Sequence, residues 1–421
     1  MQRAIRCSLH GLFGVVNEFP DDLAPSFRPP ACCVDKFVRS AVSHQRDQVG
    51  YHVSSRQLWV SLTKTKHREL QKLLNETWHA GRRSFTVLEA GKLAGKFIHA
   101  STVCVWGKFL FLALMHALTT SLGRNAERLK KHLADPELRK QFANPAFQNC
   151  TDLPSLLKLF PADVAKYLWR DNSKTFITRE LADELSRARC IFNNPATYKW
   201  GAPIGHLIQR VADYQGCGDA CLTGAGGFSL KLRFFWQIEW PDDILHRTIK
   251  YLGVSDKSLI SINLLEYATI VITFAAAIYV YELLPPSERP PHPIMLIFTD
   301  NTTAEAWTKK MSNKSVQGRA LARTLCHLMM FSELGLDTSY IEGVKNTIAD
   351  TISRYRKSHN LDSTHSFVPL LSQIPELQNC RRFQPSPELL SLIYDSLRSG
   401  CNKLPVTRVP LGQMTHDIIT S

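Results

Sequence analysis

At 421 residues, 44% hydrophobic and 21% charged, the chain has the makeup of a folded protein with more than one core, which excludes a disordered tail. Lysine and arginine number 51 against 37 aspartates and glutamates, a formal charge of +14 that suits polyanionic partners, either nucleic acid or an acidic membrane face. The eleven cysteines are scattered, and the close pairs Cys32/Cys33 and Cys217/Cys221 lack a second pair at zinc-site spacing, so free or buried thiols in a reducing compartment are expected.

The opening "MQRAIRCSLHGLFGVV" has no long apolar run and no cleavage-like site, so the expected location is intracellular, cytoplasm or nucleus, and not secreted. Residues 1–45 are irregular and punctuated by proline ("EFPDDLAPSFRPPACC"). Residues 46–125 begin with two alternating runs either side of "SSR" in 48–62, a hairpin pattern. Helices follow: "KTKHRELQKLLNETWHA" spaces Leu70, Leu73, Leu74 and Trp78 along one face, and "FTVLEAGKLAGKFIHASTV" and "WGKFLFLALMHALTTSL" continue the pattern.

Lys64, Lys66, Arg68, Lys72, Arg82, Arg83, Lys92, Lys96 and Lys108 occupy the polar faces, and Arg124, Arg128, Lys130, Lys131, Arg139 and Lys140 form a second basic cluster. Such runs are ordinarily solvated helix surface. Interleaved aromatics (Trp59, Trp78, Phe97, Trp106) suggest nucleic-acid binding instead, with cations on phosphates and rings on bases or sugars. Residues 126–210 read as a looser helical connector.

From 211 the pattern turns to strands. "VADYQGCGDACLTGAGGFSLKLRFFWQIEW" predicts a strand ending near Asp219, a glycine-rich turn "TGAGG", and a hairpin running to Trp240. A helix over 263–283 follows, then strand 294–299, helices 303–311 and 316–333, strand 336–341 and helix 346–355. A sheet that begins antiparallel and continues through helical crossovers is a mixed α/β layer. "INLLEYATIVITFAAAIYVYELL" is nearly long enough to span a bilayer, but Glu266 within it, Glu282 at its end and weak basic flanks favour a helix buried against the sheet, with no membrane partner. Residues 357–421 read as a Pro- and Ser-rich tail with one amphipathic stretch, "PELLSLIYDSLRSG".

Four acids stand out. Asp300 lies where the buried strand "IMLIF" emerges, the edge at which open α/β sheets gather ligands. Asp219 ends another strand, Glu266 sits in the first turns of an otherwise apolar helix, and Asp350 lies one turn after Asn346, the expected N-cap. Each has a bland explanation: Thr302 with Glu305 fits a capping box, Asp219 suits a turn, and Glu266 and Asp350 lie near positive helix ends. The order strand Asp, helix Glu, strand Asp, helix Asp is harder to attribute to four separate causes.

Through "GDACLTGAGGFS", "INLLEYATIV", "FTDNTTAEAW" and "YIEGVKNTIADTISR", residues 211–356 resemble the ribonuclease H domain of retroelement reverse transcriptases. "QVGYHVSSRQLWVSLTKTKHRELQKLL" and "FTVLEAGKLAGKFIHASTVCVWGKFLFLALMHAL" resemble the palm-end hairpin and thumb helices of the same polyproteins, in particular those of DIRS-like and related long-terminal-repeat elements. The resemblance spans about residues 45–356, most specifically in the TDN and N-x-x-A-D-x-x-S-R strings. It implies a ribonuclease H-like α/β fold, a mixed five-stranded sheet with flanking helices, preceded by a mostly helical thumb and connection region.

It further implies that Asp219, Glu266, Asp300 and Asp350 hold Mg²⁺ or Mn²⁺ and catalyse hydrolysis of RNA in an RNA–DNA hybrid. Asp219 and Asp300 would be shared ligands, Glu266 a ligand to one ion and Asp350 a ligand or positioner at the other. Two cations roughly 3.5 to 4 Å apart need several hard oxygen donors, and 2′-hydroxyls in the shallow groove would mark the RNA strand. Lys64, Lys66, Arg68, Lys72, Arg82, Arg83, Lys92, Lys96 and Asn301 are the candidate nucleic-acid contacts, and a separate polymerase or recombinase polypeptide is a candidate partner.

The chain departs from its relatives in two places. "YIEGVKN" has Tyr340 and Glu342 where they often carry His and Pro, so a histidine that would assist product release is missing. No Tyr-x-Asp-Asp string occurs, "CCVDKF" (Asp35, Lys36) being the nearest approach, so DNA synthesis by this chain alone is not expected. The rival reading is a catalytically inactive relic or co-opted nucleic-acid-binding protein that keeps the fold.

Overall fold

The computed structural model describes residues 45–48, 50–170, 174–194, 200–208, 210–249, 259–311, 313, 315–355, 367–400 and 403–415. Residues 1–44, including Asp35 and Lys36, lie outside them.

The hairpin read from 48–62 is present as β2 (Tyr51–Ser54) and β3 (Trp59–Leu62), paired antiparallel. β1 (Gln45–Gln48) extends it on one side and β4 (Gly201–Pro203), from the far end of the connector, on the other. The three helices follow as α1 (Lys64–Lys72), α2 (Val87–Ser101) and α3 (Leu112–Ala134). Thr63 Oγ1 caps α1 by accepting from Lys66 N, and Thr86 with Glu89 forms a capping box that starts α2. In the connector, α4 (Arg179–Asn193), capped by Thr178, packs its Leu181, Leu185, Ala188, Ile191 and Phe192 into the same core.

Trp78, Phe97 and Trp106, read as bases' stacking partners, are buried in that core, where Phe97 stacks on Phe111 and Trp106 tilts against Trp200. Each buried aromatic is worth about 1.5–3 kcal/mol in place, so these rings hold the fold together and are not offered to a ligand. Lys66 and Lys96 both bind Glu69, Lys72 lies 3.8 Å from Glu76, and Arg82 pairs with Glu89 over the Trp78 face. Lys64, Arg68, Arg83 and Lys92 remain exposed.

The mixed α/β layer expected from 211 onward is present, with two strands more than the five anticipated. In order across the sheet it runs β9 (Gly335–Tyr340), β8 (Ile294–Thr299), β5 (Tyr214–Ala220), β6 (Gly224–Ser229), β7 (Phe234–Glu239), β10 (Arg381–Pro385) and β11 (Gly412–Thr415). β6 runs antiparallel to both β5 and β7, while β8 runs parallel to both β5 and β9. The extra strands come from the stretch read as a tail: β10 pairs parallel with β7 and antiparallel with β11. Between them α9 (Pro387–Ser399), the amphipathic stretch, buries Leu389, Leu392, Ile393 and Leu397. Strand β10, "RRFQP", buries Phe383 and Pro385 but exposes Arg381 and Gln384, and backbone pairing on both sides, which leaves little apolar signature, carries it.

The glycines of "TGAGG" are not a turn. Gly224, Gly226 and Gly227 lie inside β6, and residues 221–223 make the reversal. A Cβ at Gly226 would lie 2.4 Å from Ile352, and one at Gly218 of β5 would lie 2.8 Å from Thr269. Bare backbone therefore lets α8 (Thr347–Arg354) close on one face of the sheet and α5 (Ile262–Leu283) on the other. α5 is the one helix among the described residues long and apolar enough to cross a bilayer, and 94% of its apolar window is buried inside the protein.

Candidate metal centre

Three of the four acids meet at the C-terminal edge of the central strands. β5 and β8 are parallel neighbours with Cys217 level with Phe298, and two further residues along each strand bring Asp219 and Asp300 level. α5 begins at Ile262 and places Glu266 just over one turn in, so its side chain reaches back over the strand end, where Oε1 accepts from Ala220 N at 3.2 Å. One ligand oxygen from each of Asp219, Glu266 and Asp300 lies within 4.8 Å of the others.

Two of the three acids are buried and the third partly so. Asp219 is 5% exposed, Glu266 is 4% exposed and Asp300 is half-buried. Burial pushes the Asp219 carboxyl up to about 6, the Ser353 hydroxyl opposing and the charges of Asp300 and Asp350 adding to the rise. Burial, then Asp219 and Asp300, hold Glu266 well above the usual carboxylate range. Burial and, less strongly, Asp350 raise Asp300. At separations of no more than 4.8 Å and an effective dielectric constant of about 20, each pair of carboxylates, if both were ionised, would repel by at least roughly 3 kcal/mol, a cost that a bound cation reverses in sign.

Glu266 Oε2 is buried with no hydrogen-bond partner. A desolvated, unpaired carboxylate oxygen is expensive. Facing two more carboxylates, it fits a hard divalent cation, which takes oxygen donors. The triad can hold a metal ion.

Asp350 stands apart from the three. It is in the first turn of α8, 42% exposed, and paired with Arg354 at 2.7 Å. Its charge still reaches the centre, as the rise in Asp219 and Asp300 records. Asn301 is the N-cap of α6 (Thr302–Lys310): its Oδ1 accepts from Thr303 N and Ala304 N, so the capping box read for Thr302 is replaced by an asparagine cap one residue earlier. Asn301 Nδ2 donates to Asn263 Oδ1 at 2.8 Å, which ties the loop after β8 to the first turn of α5.

The sequence reading assigned no role to Ser353. Its Oγ donates to Asp219 Oδ2 at 2.6 Å, and its position three residues after Asp350 on α8 was the signal, since that spacing puts it on the helix's adjoining face, turned toward the sheet. Asn346, expected to cap α8, makes no side-chain cap bond and instead donates from Nδ2 to Gly218 O at 3.2 Å. The loop before α8 passes so near the centre that a Cβ on Gly343 would lie 3.1 Å from Asp300 Oδ2.

Comparison with protein-family models, with curated proteins and with solved structures finds no match.

Proposed function

We propose that the protein is a ribonuclease H-type endonuclease that hydrolyses the RNA strand of RNA–DNA hybrids with Mg²⁺ or Mn²⁺, and that it derives from a retroelement reverse transcriptase. The observation that carries this reading is the convergence of Asp219, Glu266 and Asp300, 81 residues apart from first to last, on one point within 4.8 Å. Two features support it. Strands β9-β8-β5-β6-β7 have three consecutive antiparallel strands followed by two parallel ones reached through helices, the arrangement the resemblance implies. The fourth acid, Asp350, is at the rim, on the helix the resemblance assigns to it.

Bound divalent cations would supply Lewis acidity, easing loss of a proton from the attacking water and offsetting charge on the leaving oxygen. The chain's own residues do the rest. Asp219 and Asp300, on rigid strand ends, offer carboxylate oxygens at fixed positions, and Glu266 offers the unpartnered Oε2 from the helix side. Ser353 keeps the Asp219 carboxylate from turning. Asp350, at the solvent-facing rim and held by Arg354, is placed to orient water or a second cation. The exposed Lys64, Arg68, Arg83 and Lys92 are the candidate contacts to the hybrid's phosphates.

The deciding experiment is a metal-titrated nuclease assay on labelled hybrid, duplex DNA and duplex RNA side by side, with Asp300→Asn as control. Cleavage of the hybrid alone, dependent on the cation and abolished by the substitution, supports the enzyme. A clean protein that binds the hybrid and leaves it whole at every cation concentration rejects it in favour of the co-opted binder.

A further inference from the structure

Away from the acidic centre, α4, α7 (Val316–Met330) and the segment after α9 enclose a cavity of about 580 Å³, of the size that takes a small organic ligand. Its walls carry an unusual charge balance. Among the described residues, Arg187 Nη1 donates to a backbone carbonyl, Leu404 O, at 3.0 Å. Arg323 donates to Glu180 Oε1 at 2.8 Å and to Gly400 O at 3.2 Å, and the same Glu180 also receives Arg319. Arg179 and Lys403 stand exposed on the same lining.

Among the described residues, the carboxylates lining the cavity do not balance these cations. Glu180 is shared between two guanidiniums. Asp183 is exposed. Glu184 is fully occupied at the start of α3, accepting from Ala113 N at 2.8 Å and Leu114 N at 3.1 Å, and burial pushes its carboxyl up to about 8 against those two bonds. Arg187 is held below the usual arginine range by burial and then by the charge of Arg323, with Asp183 and Glu184 opposing. His327, in the same wall, is held down at about 4 by burial and by Arg187. Arg187 and Arg323 both line the cavity and reach carbonyls only four residues apart, Leu404 O and Gly400 O, so an oxyanion between them would face two guanidiniums, whose fork matches phosphate or carboxylate geometry.

We propose that this cavity binds a small multivalent oxyanion, its charged group between Arg187 and Arg323 and its approach guided by Arg179 and Lys403. Because the walls come from the connector, the sheet layer and the C-terminal segment, a bound anion fastens these three parts of the chain together. The proposal does not depend on the nuclease reading.

The test is titration calorimetry and thermal melting of the full chain freed of divalent cations on a chelating resin, in buffer without chelator, with inorganic pyrophosphate and citrate as separate probes to distinguish phosphate from carboxylate. Removal of the cations keeps the acidic triad out of the measurement, and Asp300→Asn is expected to bind the probes unchanged. One-site saturable binding of at least one probe is expected, with a higher melting temperature, weakened about tenfold by Arg187→Gln, the value of one charge-assisted hydrogen bond. Should Arg187→Gln fail to fold, the surface pair Arg179→Gln and Lys403→Gln is expected to weaken binding roughly threefold, as exposed charges do, with melting of the free protein unchanged. Absence of saturable binding for both probes overturns the proposal, as does equal affinity in every one of these cavity variants, which would place the anions elsewhere on the basic surface.

Discussion

Ser353 Oγ donates to Asp219 Oδ2 at 2.6 Å and links residues 134 positions apart, so a helix late in the chain holds a carboxylate on the first strand of the seven-stranded sheet. The bond exists because Gly226 lets α8 sit against β6, and Asp219 is the residue opposite Gly226 in the ladder. The hydroxyl selects one orientation of a carboxylate that has few other partners. Ser353→Ala removes that restraint with little change in volume, and the expected result is a loss of roughly ten- to hundredfold in divalent-cation affinity, the usual scale for a group that orients a ligand. Titration calorimetry with Mn²⁺, beside a thermal melt showing the fold intact, reads this directly; unchanged affinity would mean that the strand alone positions Asp219.

Glu266 makes a different prediction, because its carboxylate is a liability when no cation is present. Its folded-state affinity for a proton is raised, so the folded chain holds that proton at pH values where the unfolded chain has released it. The stability it contributes is present below the ordinary carboxylate pKa near 4.5 and is lost as pH rises toward the higher folded value. Glu266→Gln, which keeps an oxygen for Ala220 N and adds a donor facing Asp219 and Asp300, therefore stabilises the cation-free protein at pH 7 to 8, by on the order of 1–3 kcal/mol. The gain shrinks as pH falls toward 4.5. Melting curves across that range in EDTA check the sign, and in Mn²⁺ the ordering of wild type and variant is expected to reverse.

The triad was readable because each acid broke a local rule: a charge where a buried strand emerges, and a charge inside an apolar helix. The element order from 211 to 355 was readable for the same reason, since the long apolar α5 and the buried β8 have periods that sequence displays. What misled was anything decided by contact at a distance. Gly226 looks like turn chemistry until Ile352 is known to press on it. Trp78 and Phe97 look like base-stacking rings until the helices fold their basic faces outward and their aromatic faces in. The strands β10 and β11 have almost no apolar alternation, because backbone pairing, of β10 with β7 and of β11 with β10, supplies what their side chains do not.

The same inward turn of the aromatics divides the basic residues into two groups and leads to the last prediction. Lys66 and Lys96 meet on Glu69, at 3.2 and 2.9 Å, and Arg82 is spent on Glu89, Thr77 O and Ser84 O. These cations already have protein partners, and a phosphate would have to compete with them. Lys64, Arg68, Arg83 and Lys92 are exposed, and their charge is available to counter-ions. If the hybrid lies along this face, converting the four exposed residues to glutamine lowers affinity and flattens its salt dependence, by about 0.7 to 0.9 in the log–log slope for each phosphate contact removed. Converting Lys66 and Lys96 instead is expected to cost stability, through the uncompensated Glu69 between α1 and α2, and to leave the slope nearly unchanged. Hybrid binding measured by anisotropy between about 50 and 200 mM salt separates the two variants, and a slope that falls equally in both would mean that the paired lysines let go of Glu69 to reach the backbone.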